Sequence, residues 1–199
     1  MKNLEQIYDE QLNIKTTGRD DTKSNQYNYP YEPTDYEVLE RVAQSGYLTK
    51  KSRLVDYGCG KGRVSFFLAY QTGCKAVGVE YDERLYIKAQ DNLRKYPKPY
   101  NVSFELMNAV EYRVPDNADR FFFFNPFSEE VLKSVLGKIK DSYYEAPREM
   151  LLFFYYPSDE YVALLTTDLE LSFEDEIDCQ DLFEKQDARE RVLIFRVGE

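Results

Sequence analysis

The 199-residue chain contains no histidine. That absence excludes His-based triads, His-ligated zinc and a histidine general base in one step. Cysteine is scarce: Cys59, Cys74 and Cys179 are odd in number and show no C-x-x-C spacing, so they read as free thiols in a reducing compartment. No apolar run approaches the ~18 residues of a membrane span. The opening Met1-Lys2-Asn3-Leu4-Glu5-Gln6 is too polar for a secretory signal, which leads us to expect a cytoplasmic protein with no membrane partner. The length is that of one domain, enough to bury a sizeable core.

Positive charge is also short, and unevenly so. The net charge is −10. Ser158 to Glu190 holds 12 acidic and 2 basic residues, leaving the remainder neutral. Such a segment repels phosphate backbones unless it lies far from the site, so nucleic acid is a disfavoured substrate. It reads as a solvated face, or alternatively as a surface for a cationic partner.

What the chain does have is centred on Leu54-Val55-Asp56-Tyr57-Gly58-Cys59-Gly60-Lys61-Gly62-Arg63. A short strand (53–57) ends near an acid, three glycines follow at alternate positions, and a helix starts at Arg63. Glycines there let the backbone turn sharply and approach a ligand, and the helix start offers unpaired N–H groups. A dinucleotide turn wants G-x-G-x-x-G; here Arg63 fills the place of its third glycine. Asp56 is also ill suited to a pyrophosphate and well suited to an ammonium group. The second strand, Cys74 to Glu80, places an acid at its tip, where ribose hydroxyls are bound in nucleoside sites. Nicotinamide enzymes share that feature, and a plain strand-to-helix turn is the simpler alternative for the glycines.

The Asp-x-Gly-x-Gly-x-Gly pattern resembles the first motif of the class I methyltransferases that use S-adenosylmethionine. The form Asp-Tyr-Gly-Cys-Gly-Lys-Gly-Arg is most like a bacterial branch with uncharacterised substrates. The resemblance covers the chain from about Tyr31 and implies an α/β fold, a Rossmann-like seven-stranded sheet, mostly parallel with an antiparallel C-terminal strand pair. It also implies cofactor roles. Asp56, Gly58, Cys59, Gly60 and Gly62 would surround the methionine end, Glu80 and Tyr81 the ribose, and Asn108 with Ala109 the adenine. Asn108 stands where related enzymes often carry an acid. Methyl transfer needs no histidine, because the sulfonium is already a reactive electrophile and the protein contributes alignment and exclusion of water.

Elsewhere, residues 1–14 carry Leu4, Ile7, Tyr8 and Leu12 at helical spacing, and Lys15 to Asn28 reads as a loop. Thr34 or Asp35 is positioned to cap a helix ending near Gly46. Residues 1–33 are thus expected as a segment covering the methyltransferase domain at 34–199. In the resemblance, Tyr31 and Thr34 would face the sulfonium, where an aromatic ring attracts positive charge; the alternative is a capped helix with surface tyrosines. A helix is expected over 82–96, a strand over 102–106, and buried strands at 120–124 and 150–157. A helix over 129–140 lies between those two buried strands. A short helix (160–165) and strands near 171–177 and 191–197 complete the chain.

Asn125-Pro126-Phe127-Ser128 follows the fourth strand. It resembles the (Asn/Asp)-Pro-Pro-(Tyr/Phe) motif of enzymes that methylate amino or amide nitrogens, with one proline instead of two. In that motif the Asn side-chain carbonyl and a backbone carbonyl hold the target nitrogen while the aromatic ring stacks on it. Asn125, Pro126 and Phe127 are therefore the candidate catalytic residues, with Asn125 also beside the cofactor. The simpler alternative is a strand end followed by a Ser128 helix cap. The expected activity is methyl transfer from S-adenosylmethionine to an unidentified acceptor, a nitrogen on a protein or small molecule, with no metal. A non-catalytic S-adenosylmethionine-binding module and a nicotinamide oxidoreductase are the alternatives.

Overall fold

The computed structural model describes residues 3–19 and 32–198. Two helices come first, Leu4–Leu12 (α1) and Tyr36–Gln44 (α2). The strand–helix alternation that follows is Arg53–Tyr57 (β1), Arg63–Thr72 (α3), Lys75–Glu80 (β2), Glu83–Leu93 (α4), Val102–Leu106 (β3), Arg120–Phe123 (β4), Glu129–Glu145 (α5) and Leu151–Tyr155 (β5). Asp159–Thr167 (α6), Leu171–Asp178 (β6) and Arg191–Val197 (β7) close the chain. The sheet order is β3-β2-β1-β4-β5-β7-β6. β1 to β5 pair in parallel, and β7 is antiparallel to both β5 and β6.

The apolar run of β4 and β5 is explained by burial on both faces. Phe122 and Phe153 belong to the core under α2 and α3, while Phe121, Phe123 and Phe154 belong to the core under α5 and α6. On the latter face Tyr57, Phe123 and Phe154 form a stacked ladder across three strands, with ring centroids 5.1 and 4.7 Å apart. Cross-strand aromatic pairs of this kind add roughly 0.5–1.5 kcal/mol each beyond their buried area. The same alternation puts Asp56 on the α3 face, one residue away from the ladder.

Two local expectations are corrected. Asp35 occupies the N-cap position of α2 but makes no side-chain cap bond; instead the Tyr36 N–H donates to Glu5 Oε1 at 3.5 Å. Burial pushes the Asp35 carboxyl up to about 6, and Glu5 adds repulsion. Second, α5 runs to Glu145 instead of ending near Lys140. No helix breaker intervenes before Pro147, and Arg148 donates to the carbonyls of Ser142 and Ala146 at 3.0 and 2.7 Å, satisfying the last turn.

The N-terminal residues are packed into the main core. Leu12 and Ile14 are buried with Tyr36 and Phe67. Asn92 of α4 clamps Lys15 in both directions, accepting from its N–H at 2.9 Å and donating to its carbonyl at 3.2 Å. Glu174, Asp175, Glu176 and Asp178 of the acidic segment fall on β6, an edge strand with a bulge between Phe173 and Asp175. Charge and a bulge are what keep an exposed edge from pairing with another chain. Among the described residues no helix is long and apolar enough to cross a membrane.

Candidate functional site

β1 and β4 are neighbours although β2 and β3 lie on the other side of β1. Strand order reverses there, and a crevice opens at the carboxyl ends. Asp56, at the end of β1, is buried and accepts from Ser65 Oγ at 2.8 Å. Burial pushes its carboxyl up to about 7, with the Ser65 hydrogen bonds opposing and nearby Glu80 reinforcing the shift. Glu80, at the end of β2, is also buried. Its two oxygens accept from the N–H groups of Gly60 and Asp82, both at 2.8 Å. Burial raises this carboxyl too, against those two hydrogen bonds.

The glycine turn is satisfied from within. Gly58 and Cys59 both donate their N–H to the Val79 carbonyl, at 2.9 and 3.2 Å, and Gly62 donates to the Cys59 carbonyl at 2.8 Å. Together with the Gly60–Glu80 bond, four amides of the turn are engaged. They do not form the row of free donors on which a phosphate group sits. Gly58 has φ +71°, and a Cβ there would overlap Cβ of Pro126 in the turn after β4. Gly62 has φ +89°, and a Cβ there would overlap the Phe104 ring. The first glycine thus brings two strand-end turns together, and the third makes room for helix–strand packing.

The cleft wall includes Thr34, Asp56, Gly58, Cys59 and Glu80. Beyond β2 and β3 it continues through Tyr81, Asn108 and Ala109, and across the switch point through Pro126 and Phe127. Asn108 is exposed, and its Oδ1 accepts from the Val110 N–H at 3.2 Å in a local turn. Gly60, Gly62 and Asn125 are not among the residues that line the cleft, and Tyr31 lies outside the described residues.

Asn125 has φ +38°. Its amide bridges to the loop after β5: Nδ2 donates to the Tyr156 carbonyl, and Oδ1 accepts from the Ser158 N–H at 3.3 Å. Tyr156, also at positive φ (+50°), donates its hydroxyl to Asp187 Oδ2 at 2.7 Å and carries the Arg189 guanidinium 4.4 Å above its ring. The Phe127 ring is buried edge-on against Phe123, 6.2 Å between centroids, and its carbonyl accepts from the Tyr161 hydroxyl at 2.5 Å. Phe124 also lines the cleft, half-buried, its ring 4.7 Å from that of Tyr155.

Among the wall residues that the sequence analysis leaves without a site role are Phe124, Asp82 and Arg63. Phe124 was taken as part of the buried run, because apolar periodicity does not show where a strand's last residue turns outward. Asp82 looked like a helix start, and it does cap α4, accepting from the Arg84 N–H at 3.0 Å. Arg63 served only to argue against a dinucleotide turn, yet it lines the cleft as well.

This sheet order, with its switch point and C-terminal antiparallel strand, is that of the class I methyltransferase fold. Residues 54–142 match the family model of the methyltransferase domain. An RNA methyltransferase from Salinibacter ruber, solved in complex with S-adenosyl-L-homocysteine, is similar with a TM-score of 0.57 and 20% identity, over 84% of this chain and 95% of that one. An N-methyltransferase from Bradyrhizobium japonicum has a TM-score of 0.58 and 14% identity, over 82% of this chain and 94% of that one. Two curated relatives share local sequence. A histone H3 lysine-79-specific N-methyltransferase of Dictyostelium discoideum is 39% identical over 67 residues, 34% of this chain. A tRNA1(Val) (adenine(37)-N6)-methyltransferase of Mannheimia succiniciproducens is 35% identical over 63 residues, 31% of this chain. These matches span 4% and 26% of the relatives' own lengths.

Proposed function

We propose that this protein is a methyltransferase that binds S-adenosyl-L-methionine in the β1–β4 cleft and transfers its methyl group to a nitrogen acceptor. The observation that carries this reading is the set of polar groups at three adjacent strand ends: Asp56, Glu80 and Asn108 all face one cleft. A buried carboxyl raised to about 7 gains most from a cation beside it, which fits an ammonium group at Asp56. Glu80 keeps acceptor capacity beyond its backbone bonds, available to ribose hydroxyls. Asn108 and Ala109 border the place left for a base. Tyr31 is proposed with Thr34 on the methionine side, within an N-terminal segment that covers the site.

The cofactor supplies a methyl group on a sulfonium, reactive without an acid or a metal. The chain's own task is alignment and exclusion of water. Asn125, Pro126 and Phe127 form the turn where the acceptor nitrogen would be held. The Asn125 carbonyl has one lone pair beyond its bond to Ser158. Phe124 is the ring placed to border the acceptor, since that of Phe127 is already packed. The acceptor's proton would leave to water or to a nearby carboxylate or tyrosine.

A protein or small-molecule acceptor is favoured by the acidic segment, of which Glu190 accepts at 2.6 Å from the hydroxyl of Tyr155, the ring packed on the cleft-lining Phe124. The comparisons lend no support to disfavouring nucleic acid: the similar folds include an RNA methyltransferase and the relatives include a tRNA methyltransferase. A nicotinamide enzyme is opposed by the occupied amides of the glycine turn, which leave little for a pyrophosphate. Calorimetric titration with S-adenosylmethionine, S-adenosylhomocysteine and NAD, beside an Asp56→Ala variant, tests the reading. Binding of both adenosyl ligands, weakened in the variant, is expected; binding of NAD alone would overturn it.

A further inference from the structure

Arg63 is the largest fully buried side chain, 2% exposed. Its Nε donates to Thr16 Oγ1 at 2.7 Å, and its Nη1 donates to the Thr34 carbonyl at 3.1 Å and is ion-paired with Glu5. The guanidinium lies 4.3 Å from the centroid of the Tyr36 ring, so its plane is fixed. Nη2 is left with no hydrogen-bond partner among the described residues. A buried guanidinium N–H without an acceptor is unusual, and the deficit is removed by an anion.

Arg63 is at the same time one of the residues that line the cleft. Glu32, Asp56, Glu80 and Asp82 line the same cleft, and among its described lining residues Arg63 is the one cation. An amino-acid group carries one positive and one negative end. Asp56 suits the ammonium, and the carboxylate has a single complementary side chain to meet.

We propose that Arg63, through Nη2, binds the carboxylate at the amino-acid end of the adenosyl cofactor, so that Asp56 and Arg63 together recognise the zwitterion. This rests on the cofactor reading above. It gives the residue after the last glycine a ligand-binding role in addition to holding residues 3–19 against the turn through Thr16.

The test compares S-adenosylmethionine with decarboxylated S-adenosylmethionine, and S-adenosylhomocysteine with 5′-methylthioadenosine, by calorimetry on the full chain and an Arg63→Gln variant. The wild-type protein is expected to bind the carboxylate-bearing member of each pair at least about tenfold more tightly, as a charge-assisted hydrogen bond implies. In the variant the advantage of S-adenosylmethionine over its decarboxylated form should collapse while 5′-methylthioadenosine binds as before. Equal wild-type affinity for S-adenosylmethionine and its decarboxylated form would overturn the proposal even if the variant does not fold. So would a folded variant that keeps the full preference. Failure of the wild-type protein to bind either S-adenosylhomocysteine or 5′-methylthioadenosine would instead sink the cofactor reading, and this assignment with it.

Discussion

The two walls of the cleft are built differently. On the β1–β3 side the polar groups come from residues close to one another in sequence. Asp56, the glycine turn and Glu80 fall within one strand–helix–strand unit, and Glu80 binds Gly60 directly. On the β4–β5 side the wall depends on residues far apart. Asn125 is fixed by Tyr156 and Ser158, Tyr156 by Asp187, and Tyr155 by Glu190. The first wall carries buried carboxyls that seek cations. The second carries aromatic rings and two non-glycine residues at positive φ, Asn125 and Tyr156, a conformation that costs of order 1–3 kcal/mol each and is retained mainly where surrounding contacts impose it. One wall is suited to an invariant ligand, the other to a variable one.

The largest expected effect comes from breaking the junction of the walls. Gly58→Ala places a Cβ at φ +71° against Pro126 and should cost about 3 kcal/mol of stability, from left-handed strain plus overpacking. Urea denaturation measures this, and a loss below about 1 kcal/mol would show that the two turns move apart freely.

A change to Asp56 should sharpen the contrast by separating binding from stability. Asp56→Asn keeps an acceptor for Ser65 and removes the buried charge. Because the folded carboxyl is raised above its ordinary value to about 7, it holds its proton in the native state over a range where the unfolded chain has lost it. Native stability therefore falls as pH rises from about 4 to about 7, and the penalty persists above that. The variant should be more stable than the wild type at pH 8 by about 2 kcal/mol, with the difference fading toward pH 4. Its affinity for S-adenosylhomocysteine should fall by about tenfold or more, and the wild-type affinity should improve between pH 6 and 8 with proton release. Denaturation across this pH range and calorimetry in buffers of different ionisation enthalpy are the measurements. A variant less stable than wild type at pH 8 would count against the buried charge.

The smallest effect on stability is expected at the other wall. Asn125→Ala removes the bonds to Tyr156 and Ser158 and should cost about 1–2 kcal/mol. Cofactor affinity should stay within about twofold, because Asn125 is not among the residues that line the cleft, while methyl transfer to any acceptor found should fall by about a hundredfold or more if the turn holds the nitrogen. Denaturation, calorimetry and turnover separate the three. Unchanged turnover would remove Asn125 from the acceptor site.

The limits of sequence reading follow the same division. Asp56 and Glu80 were legible because their roles depend on strand ends and a turn only tens of residues long, where spacing nearly fixes position. The parallel strands were legible because β4 and β5 are apolar throughout, as burial on both faces requires. Phe124 and Phe127 both line the cleft, and the deeper burial of the Phe127 ring was not legible because it depends on Phe123 and on Tyr161, the latter 34 positions away. The missing cap at Asp35 goes with Glu5, which accepts from the Tyr36 N–H, and no local pattern contains a residue so far away in the chain.

By itself, then, the sequence determined the α/β class, the glycine turn and the two carboxylates, since backbone sterics and strand periodicity act over a few residues. The tertiary structure alone decided which donors of the turn are already satisfied and which ring at the cleft is the more deeply buried. It also left Arg63 Nη2 without a hydrogen-bond partner among the described residues. Hydrogen-bond saturation and burial are settled by every neighbour in space, and most of those neighbours are distant in the chain.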